Sequence, residues 1–197
     1  METLNPYAIT ATRRNLPHWT AEHVTYWITF RLADSIPQDK LAAWQAEFAS
    51  WEARHPQPWD AATWAEYNER FARLEEWLDA GMGSCAMARA DVREEVRRSL
   101  AYCDGSRFEL CDAVIMPTHV HCLMRPFEGY ALSTLMRPIK SVSGRRANLV
   151  LGKTGAFWQE ESYDHIVRSP EQYAYFARYI RENPAKAGLR QGEYWLM

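Results

Sequence analysis

Residues 107–126, RFELCDAVIMPTHVHCLMRP, contain two apolar, β-branched runs on either side of a Pro-Thr-His turn. The first run, Arg107 to Met116, and the second, Val120 to Met124, both have the length and composition of a strand. Strands joined by so short a turn pair as antiparallel neighbours. The sequence therefore predicts a β-hairpin whose second strand begins beside His119 and His121.

Further strands and helices are predicted on both sides of this hairpin. Apolar residues recur at helical or strand spacing in several segments bounded by Gly, Pro and Asn. In chain order these are a strand over His23 to Leu32, helices over 91–103, 132–150 and from Ser169 to about Glu182, and short extended pieces at 157–159 and 163–167.

Residues 36–83 interrupt this pattern with two tryptophan-bearing amphipathic helices. Their apolar stripes are Leu41, Trp44, Phe48 and Trp51 in the first helix, and Trp64, Tyr67, Phe71, Leu74 and Trp77 in the second. Stripes at spacings of three and four are typical of packing surfaces. We interpret this segment as a helical insertion after the first strand.

With the insertion removed, the order of elements approximates βαββαβ. We therefore predict an α/β (α+β) protein with a ferredoxin-like split βαββαβ core, a mainly antiparallel sheet, and helices on one face. A chain of 197 residues suits one such domain with its extension, so residues 1–197 are predicted to form a single domain.

Charge is distributed unevenly along the chain, although the net charge is only −2. Residues 34–79 carry ten acidic and four basic side chains, whereas residues 137–190 carry ten basic and five acidic ones. A local basic surface is sufficient for phosphate binding, so the C-terminal third remains compatible with a nucleic-acid partner. The alternative is that both regions are only solvated faces.

Cysteine spacing and hydropathy bear on the compartment. The four cysteines include no CxxC pair, which favours reduced thiols over a disulfide frame or a zinc cluster. No run of apolar residues is long enough to span a membrane, and the N-terminus lacks the pattern of a secretory signal. We therefore expect a cytoplasmic protein without a membrane partner.

His119 and His121 are the first candidate site residues. In a strand, residues i and i+2 point to the same face, so the two imidazoles lie side by side. Imidazole is the commonest metal-binding side chain, and two on one face supply two ligands for a divalent cation. The alternative is a pair of surface histidines on a strand edge. Position 123 is Leu, which disfavours a histidine-triad hydrolase.

Tyr179 and Asn183 are the second candidate pair. Residues four apart share a helix face, and basic residues surround both positions. Tyrosine is a possible covalent nucleophile, but a phenol with an ordinary pKa near ~10 needs a cation or a base to ionise at neutral pH. The alternatives are a core-edge role for Tyr179 and, since Pro184 follows, an N-cap role for Asn183.

Basic side chains on the last two long helices are candidate phosphate contacts, with solvated faces as the alternative. They are Lys140, Arg145, Arg146, Arg178, Arg181 and Lys186. Trp158 and Gln159 are candidates for contacting a base, although packing is favoured for the tryptophan. His165 lies in the YDHIVR segment and could approach the site, but a structural role is favoured.

Four motifs occur in a fixed order: TFRLADSIP at 29–37, AVIMPTHVHCLMRP at 113–126, FWQEESYDHIVRS at 157–169, and YIRENPAKAGL at 179–189. Together they resemble the REP-associated tyrosine transposases, relatives of the single-tyrosine HUH transposases. The resemblance extends from about His23 to Leu189. The Pro-Thr-His turn departs from the more usual Pro-Asn-His or Pro-Glu-His.

This resemblance implies a fold, a metal and a reaction. The fold is ferredoxin-like, and the metal is Mg²⁺ or Mn²⁺ bound by His119, His121 and, as third ligand, Asn183. Tyr179 is the implied nucleophile, which would cut single-stranded DNA through a covalent 5′-phosphotyrosine intermediate. The same intermediate would allow the strands to be rejoined. The implied partner is single-stranded or hairpin DNA at palindromic repeat elements.

Two other functions remain open from the sequence. One is a domesticated hairpin-DNA-binding protein without catalysis, and the other is a metal-dependent nucleotide or RNA hydrolase that shares only the HxH motif. Keeping His119, His121 and Tyr179 together favours the nuclease. Relatives act as monomers or as dimers, so both a monomer and a homodimer are compatible with the sequence.

Overall fold

The computed structural model describes residues 10–13, 17–20, 24–56, 60–80 and 82–197. Its strands are β1 (Thr10–Arg13), β2 (Pro17–Thr20), β3 (Tyr26–Arg31), β4 (Phe108–Ile115), β5 (His119–Pro126), β6 (Tyr163–Ile166) and β7 (Trp195–Leu196). Its α-helices are α1 (Gln38–Arg54), α2 (Ala61–Asp79), α3 (Ala90–Ala101), α4 (Leu132–Leu151) and α5 (Pro170–Lys186), with a 3₁₀ turn at Ala86–Ala88.

Five strands form one sheet in the order β6-β3-β5-β4-β7. Every neighbouring pair is antiparallel, and β4 and β5 form the predicted hairpin. The chain order β3-α3-β4-β5-α4-β6 on this sheet is the split βαββαβ arrangement, so the predicted fold class is confirmed. The separate β1–β2 pair and the short β7 were not predicted, because four-residue and two-residue strands carry too little pattern.

Side chains of β5 alternate between the two faces of the sheet. Val120, Cys122 and Met124 are fully buried in the main core, where helices α3 and α4 pack. Leu123 belongs instead to a second core cluster that contains Ala177 and Ile180 of α5. The prediction that all helices lie on one face is therefore wrong, because α5 covers the opposite face.

Helix α5 begins as predicted but ends later than predicted. Ser169 caps its first turn by accepting a hydrogen bond from the Gln172 amide, and Pro170 follows at the first helical position. The predicted end near Glu182 is wrong, since the helix continues through Pro184 to Lys186. Pro184 leaves one carbonyl without its helical partner but is itself buried, so packing keeps the helix intact there.

The two helices of the insertion have a core of their own. Its buried members are Ile36, Leu41, Trp44, Phe48, Trp51 and Tyr67. The side chains of Trp64, Phe71 and Leu74 lie outside the described residues. Of the helices that the structure describes, none is long and apolar enough to cross a membrane.

The ends of the insertion meet at one point of the fold. The Ser84 amide donates a 3.0 Å hydrogen bond to the Asp34 carboxylate. Gly83 adopts φ +85°, and a Cβ there would lie 2.2 Å from the Asp34 carbonyl oxygen, so the close approach requires glycine. Such adjacent ends fit a segment inserted into one connection, although the boundaries 36–83 and the single-domain assignment stay predictions.

Candidate active site

The candidate site lies on the face of the sheet that α5 covers. Register pairs His121 of β5 with Thr29 of β3, and His119 with Arg31. Residues opposite one another on paired strands share a face. The sheet therefore collects two histidines, a hydroxyl and a guanidinium from two of the motifs.

His121 is fully buried, and its two ring nitrogens have different surroundings. Nδ1 lies 2.8 Å from the Thr29 hydroxyl, while Nε2 has no hydrogen-bond partner among the described residues. Burial lowers the pKa of His121 well below 6.5, and neighbouring His119 lowers it further. When Nδ1 donates its proton to Thr29, the neutral ring presents the Nε2 lone pair, the form that binds metals.

His119 forms a matching imidazole beside it. Its ring centroid is 4.5 Å from that of His121, and its Nδ1 lies 2.9 Å from the Thr118 hydroxyl. Burial, with a smaller contribution from the Arg31 charge, lowers the pKa of His119 to about 3. Both imidazoles are therefore neutral at physiological pH, and the alternative of surface histidines is wrong.

Tyr179 of α5 packs directly against His121. Its ring meets the His121 ring edge-to-face at 5.4 Å and the Trp27 ring at 5.5 Å. The Lys186 ammonium lies 5.2 Å from the Tyr179 ring centroid. A tyrosine and a cation of α5 thus meet the buried His121 of β5 at one place.

Asn183, one helical turn beyond Tyr179, is fully buried. Neither its Oδ1 nor its Nδ2 has a hydrogen-bond partner in the part of the chain that the structure describes. The N-cap alternative is wrong, because α5 continues past this residue and the amide caps nothing. A buried amide without hydrogen-bond partners costs about 1–3 kcal/mol, a cost that a bound ligand would offset.

The predicted basic residues fall into two groups. Arg178, Arg181 and Lys186 lie on α5 with Tyr179; Arg181 is 3.5 Å from Asp112, and Lys186 is 3.2 Å from Glu182. Lys140, Arg145 and Arg146 lie on α4, which packs on the opposite face of the sheet. Of these six residues, Lys186 is the one observed against the Tyr179 ring in the described part of the chain. Lys140 reaches the segment after Gln159, where it bonds to Glu160 and Ser162.

Sequence reasoning missed the part that Thr29 and Arg31 play in the site, and it left Gln159 without a partner. Arg31 Nε donates a 2.6 Å hydrogen bond to Gln159 Oε1. Thr29 and Arg31 obey the same i, i+2 rule as the histidines, but only strand register shows which strands are opposite.

Trp158 and His165 both make side-chain contacts within the protein, which agrees with the structural roles favoured from the sequence. The Trp158 indole is buried and donates a 2.9 Å hydrogen bond to the Ser143 hydroxyl. His165 lies against Phe176 and makes a 2.9 Å hydrogen bond with Gln172.

Residues 86–183, about half of the chain, match the sequence profile of the family described as "Transposase IS200 like". The chain belongs to this IS200-like transposase family, which confirms the resemblance carried by the four motifs. It is therefore a transposase-like, DNA-processing protein. The match includes His119, His121, Tyr179 and Asn183.

Solved structures similar to this chain include two transposases. One is a REP-associated tyrosine transposase bound to a REP hairpin, with 17% identity, 92% of this chain and 77% of that chain covered, and a TM-score of 0.49. The other is provisionally assigned as a transposase of Deinococcus radiodurans R1, with 14% identity, 87% and 96% covered, and a TM-score of 0.34. No curated protein sequence matches the chain at a significant level.

Proposed function

We propose that the protein cuts and rejoins single-stranded DNA at hairpin or palindromic repeat elements, with Tyr179 as the nucleophile. The observation that carries the proposal is the contact between the Tyr179 ring and buried His121, one helical turn from the buried, unpartnered amide of Asn183. Family membership supplies the class of reaction.

The residues present fit a divalent cation. His119 and His121 would contribute ring nitrogens, and Asn183 would contribute its Oδ1. Among the described residues, no group of three or more His, Cys, Asp or Glu side chains is arranged to hold a metal ion, so a third side-chain donor beside the histidines would be of another type. The Asn183 amide is the one we propose. Mn²⁺ accepts both nitrogen and oxygen donors, whereas Mg²⁺ prefers oxygen and keeps waters. When bound, the cation would neutralise charge on the non-bridging phosphate oxygens.

Tyr179 would perform the covalent step. Its Oη forms a bond to phosphorus while the bond from phosphorus to the 3′ oxygen of the upstream nucleotide breaks. The phenol loses its proton to solvent, and the departing oxygen gains one to become a 3′ hydroxyl. The Lys186 ammonium beside the ring would stabilise the phenolate. Since the phosphodiester bond is exchanged and not hydrolysed, attack by a 3′ hydroxyl reverses the step.

The DNA contacts would come first from α5. Arg178 and Arg181 are exposed on this helix, and Lys186 is near the tyrosine ring. A single strand can bend its backbone towards a helix-borne nucleophile more easily than a stacked duplex can. Binding that depends on three cations should weaken as salt is raised.

The experiment is a covalent trapping assay. Wild type and Tyr179→Phe are incubated with Mn²⁺ and hairpin DNA labelled at either end, then denatured and separated on a gel. Wild type should form an adduct that retains only the downstream label, and Tyr179→Phe should form none while still binding DNA. Tyr175→Phe, an exposed tyrosine of the same helix, is the matched control and should act as wild type.

Three outcomes contradict the proposal in different ways. Adduct formation by Tyr179→Phe would assign the nucleophile to another tyrosine. Free products without any adduct would indicate a metal-dependent hydrolase. Hairpin binding without cutting under any metal would indicate a domesticated DNA-binding protein.

A further inference from the structure

Arg31 is a partly buried cation at the edge of the candidate site. It stands directly opposite His119 in the β3–β5 register, on the same face of the sheet. Its charge is close enough to contribute to the low pKa of His119. Arg31 therefore sets the local charge beside the histidine pair.

Gln159 fixes the orientation of this guanidinium. Arg31 Nε donates to Gln159 Oε1 over 2.6 Å, and the Gln159 backbone amide donates to the Arg31 carbonyl over 2.9 Å. Because Nε of arginine is only a donor, the atom facing it must be the amide oxygen, so the other atom is the NH₂ group. This Gln159 Nε2 is buried and has no hydrogen-bond partner among the described residues.

Lys140 adds a second cation next to Arg31. Its ammonium donates to the Glu160 carbonyl over 2.8 Å and to the Ser162 hydroxyl over 3.1 Å. Burial, and next the Arg31 charge, lower the pKa of Lys140 to about 8, with Glu161 and Glu160 opposing the shift. The two cations favour a bound anion, although Glu160 and Glu161 already offset part of their positive charge.

We propose that Arg31 and Gln159 form a phosphate-binding subsite for the DNA strand at the candidate active site. The guanidinium binds one backbone phosphate, and Gln159 Nε2 donates a second hydrogen bond to it. Every group offered is a donor, which selects an anionic acceptor such as a phosphodiester. The inference rests on the proposed function for its ligand, but its test measures binding without requiring cleavage.

The first test compares charge variants by DNA affinity. Arg31→Gln, Arg31→Lys and Gln159→Leu are titrated with fluorescent hairpin DNA in EDTA, after thermal melting shows that each variant folds. Arg31→Gln should bind about tenfold or more weakly. The slope of the logarithm of its affinity against the logarithm of salt concentration should fall by the equivalent of about one phosphate contact. Gln159→Leu should lose less, and Arg31→Lys should keep part of the affinity. Arg125→Gln, at the far end of β5, is the control and should bind as wild type.

The second test locates the phosphate. Hairpins carrying one neutral methylphosphonate at successive positions are bound to wild type and to Arg31→Gln. At one position the substitution should weaken wild type about tenfold and leave Arg31→Gln unchanged, because the contact is already lost. The same losses in both proteins at every position, or unchanged affinity of folded Arg31→Gln, would overturn the inference.

The adduct assay separates this inference from the proposed function. If wild type forms no adduct but the methylphosphonate pattern holds, the nuclease proposal fails and the subsite stands. If wild type forms the adduct and Arg31→Gln shows no phosphate-specific loss, the subsite fails alone. Should Arg31→Gln not fold, Arg31→Lys and Gln159→Leu provide the same comparison.

Discussion

The two faces of the central sheet are built from the same strands, but in the described part of the chain only one of them buries polar atoms that have no hydrogen-bond partner. Val120, Cys122 and Met124 of β5 contribute only apolar side chains to the face under α3 and α4. On the other face, His119 and His121 are equally buried, yet His121 Nε2 has no hydrogen-bond partner among the described residues. The first face stabilises the fold. On the second face, the buried polar atom lowers the stability of the fold, and a ligand bound to it would offset that loss.

The α5 face is itself divided along the strand. Leu123, Trp27 and Ile180 form an apolar cluster that attaches the helix. Two residues earlier on β5 the cluster gives way to His121, against which Tyr179 packs. The apolar cluster thus holds α5 in place on the sheet, and the candidate active-site residues lie beside it at His121.

His121→Ala, on the α5 face, should have the largest effect on activity. Removing this imidazole should reduce Mn²⁺-dependent adduct formation by about 100-fold or more, because the proposed metal ligand and a Tyr179 contact are lost together. The measurement is the single-turnover adduct rate at saturating Mn²⁺, with activity in excess EDTA as the zero.

Met124→Ala is the matched control from the other face of the same strand. Because Met124 is fully buried, this substitution should lower the free energy of unfolding by about 2–5 kcal/mol. It should leave the adduct rate per folded molecule nearly unchanged. If the two variants lose activity equally at a temperature where both are folded, the division between the faces is wrong.

Asn183→Leu should have a smaller effect, and of opposite sign on stability. Replacing an unpaired buried amide by an apolar side chain of similar size should raise the free energy of unfolding by about 1–3 kcal/mol without metal. The rise in melting temperature that Mn²⁺ gives wild type should shrink or vanish in the variant. A destabilised variant with an intact Mn²⁺ response would assign Asn183 a structural role.

The smallest effect is expected from pH at His165. Burial, and next the Arg168 charge, lower the pKa of His165 to about 4, with the Gln172 hydrogen bond opposing the shift. Between about pH 6.5 and 4 the unfolded state binds a proton that the folded state does not, so stability is lost as pH falls through this window. His165→Gln should reduce that loss by about 1–2 kcal/mol in urea titrations at pH 7 and pH 4.5. An unchanged difference between the two pH values would contradict the assignment.

Patterns with a fixed period gave the predictions that the structure confirms. The hairpin at 107–126 follows from strand composition around a turn, and the i, i+2 spacing of His119 and His121 places them on one face. The i, i+4 spacing of Tyr179 and Asn183 placed both on one side of a helix. Period alone does not say which side of a sheet a helix covers. For this reason the sequence did not predict that α4 and α5 lie on opposite faces.

Local sequence thus determined the main strands and helices of the core and the pairing of the candidate histidines, because these depend on neighbours a few residues away. The resemblance in the four motifs added the candidate roles of Tyr179 and Asn183. Only the tertiary structure decided that Arg31 stands opposite His119, and that Gln159, 128 residues further along the chain, binds its guanidinium. Only the tertiary structure showed that the Asn183 amide is buried and caps no helix. Register and burial depend on contacts between distant segments, and no local pattern encodes them.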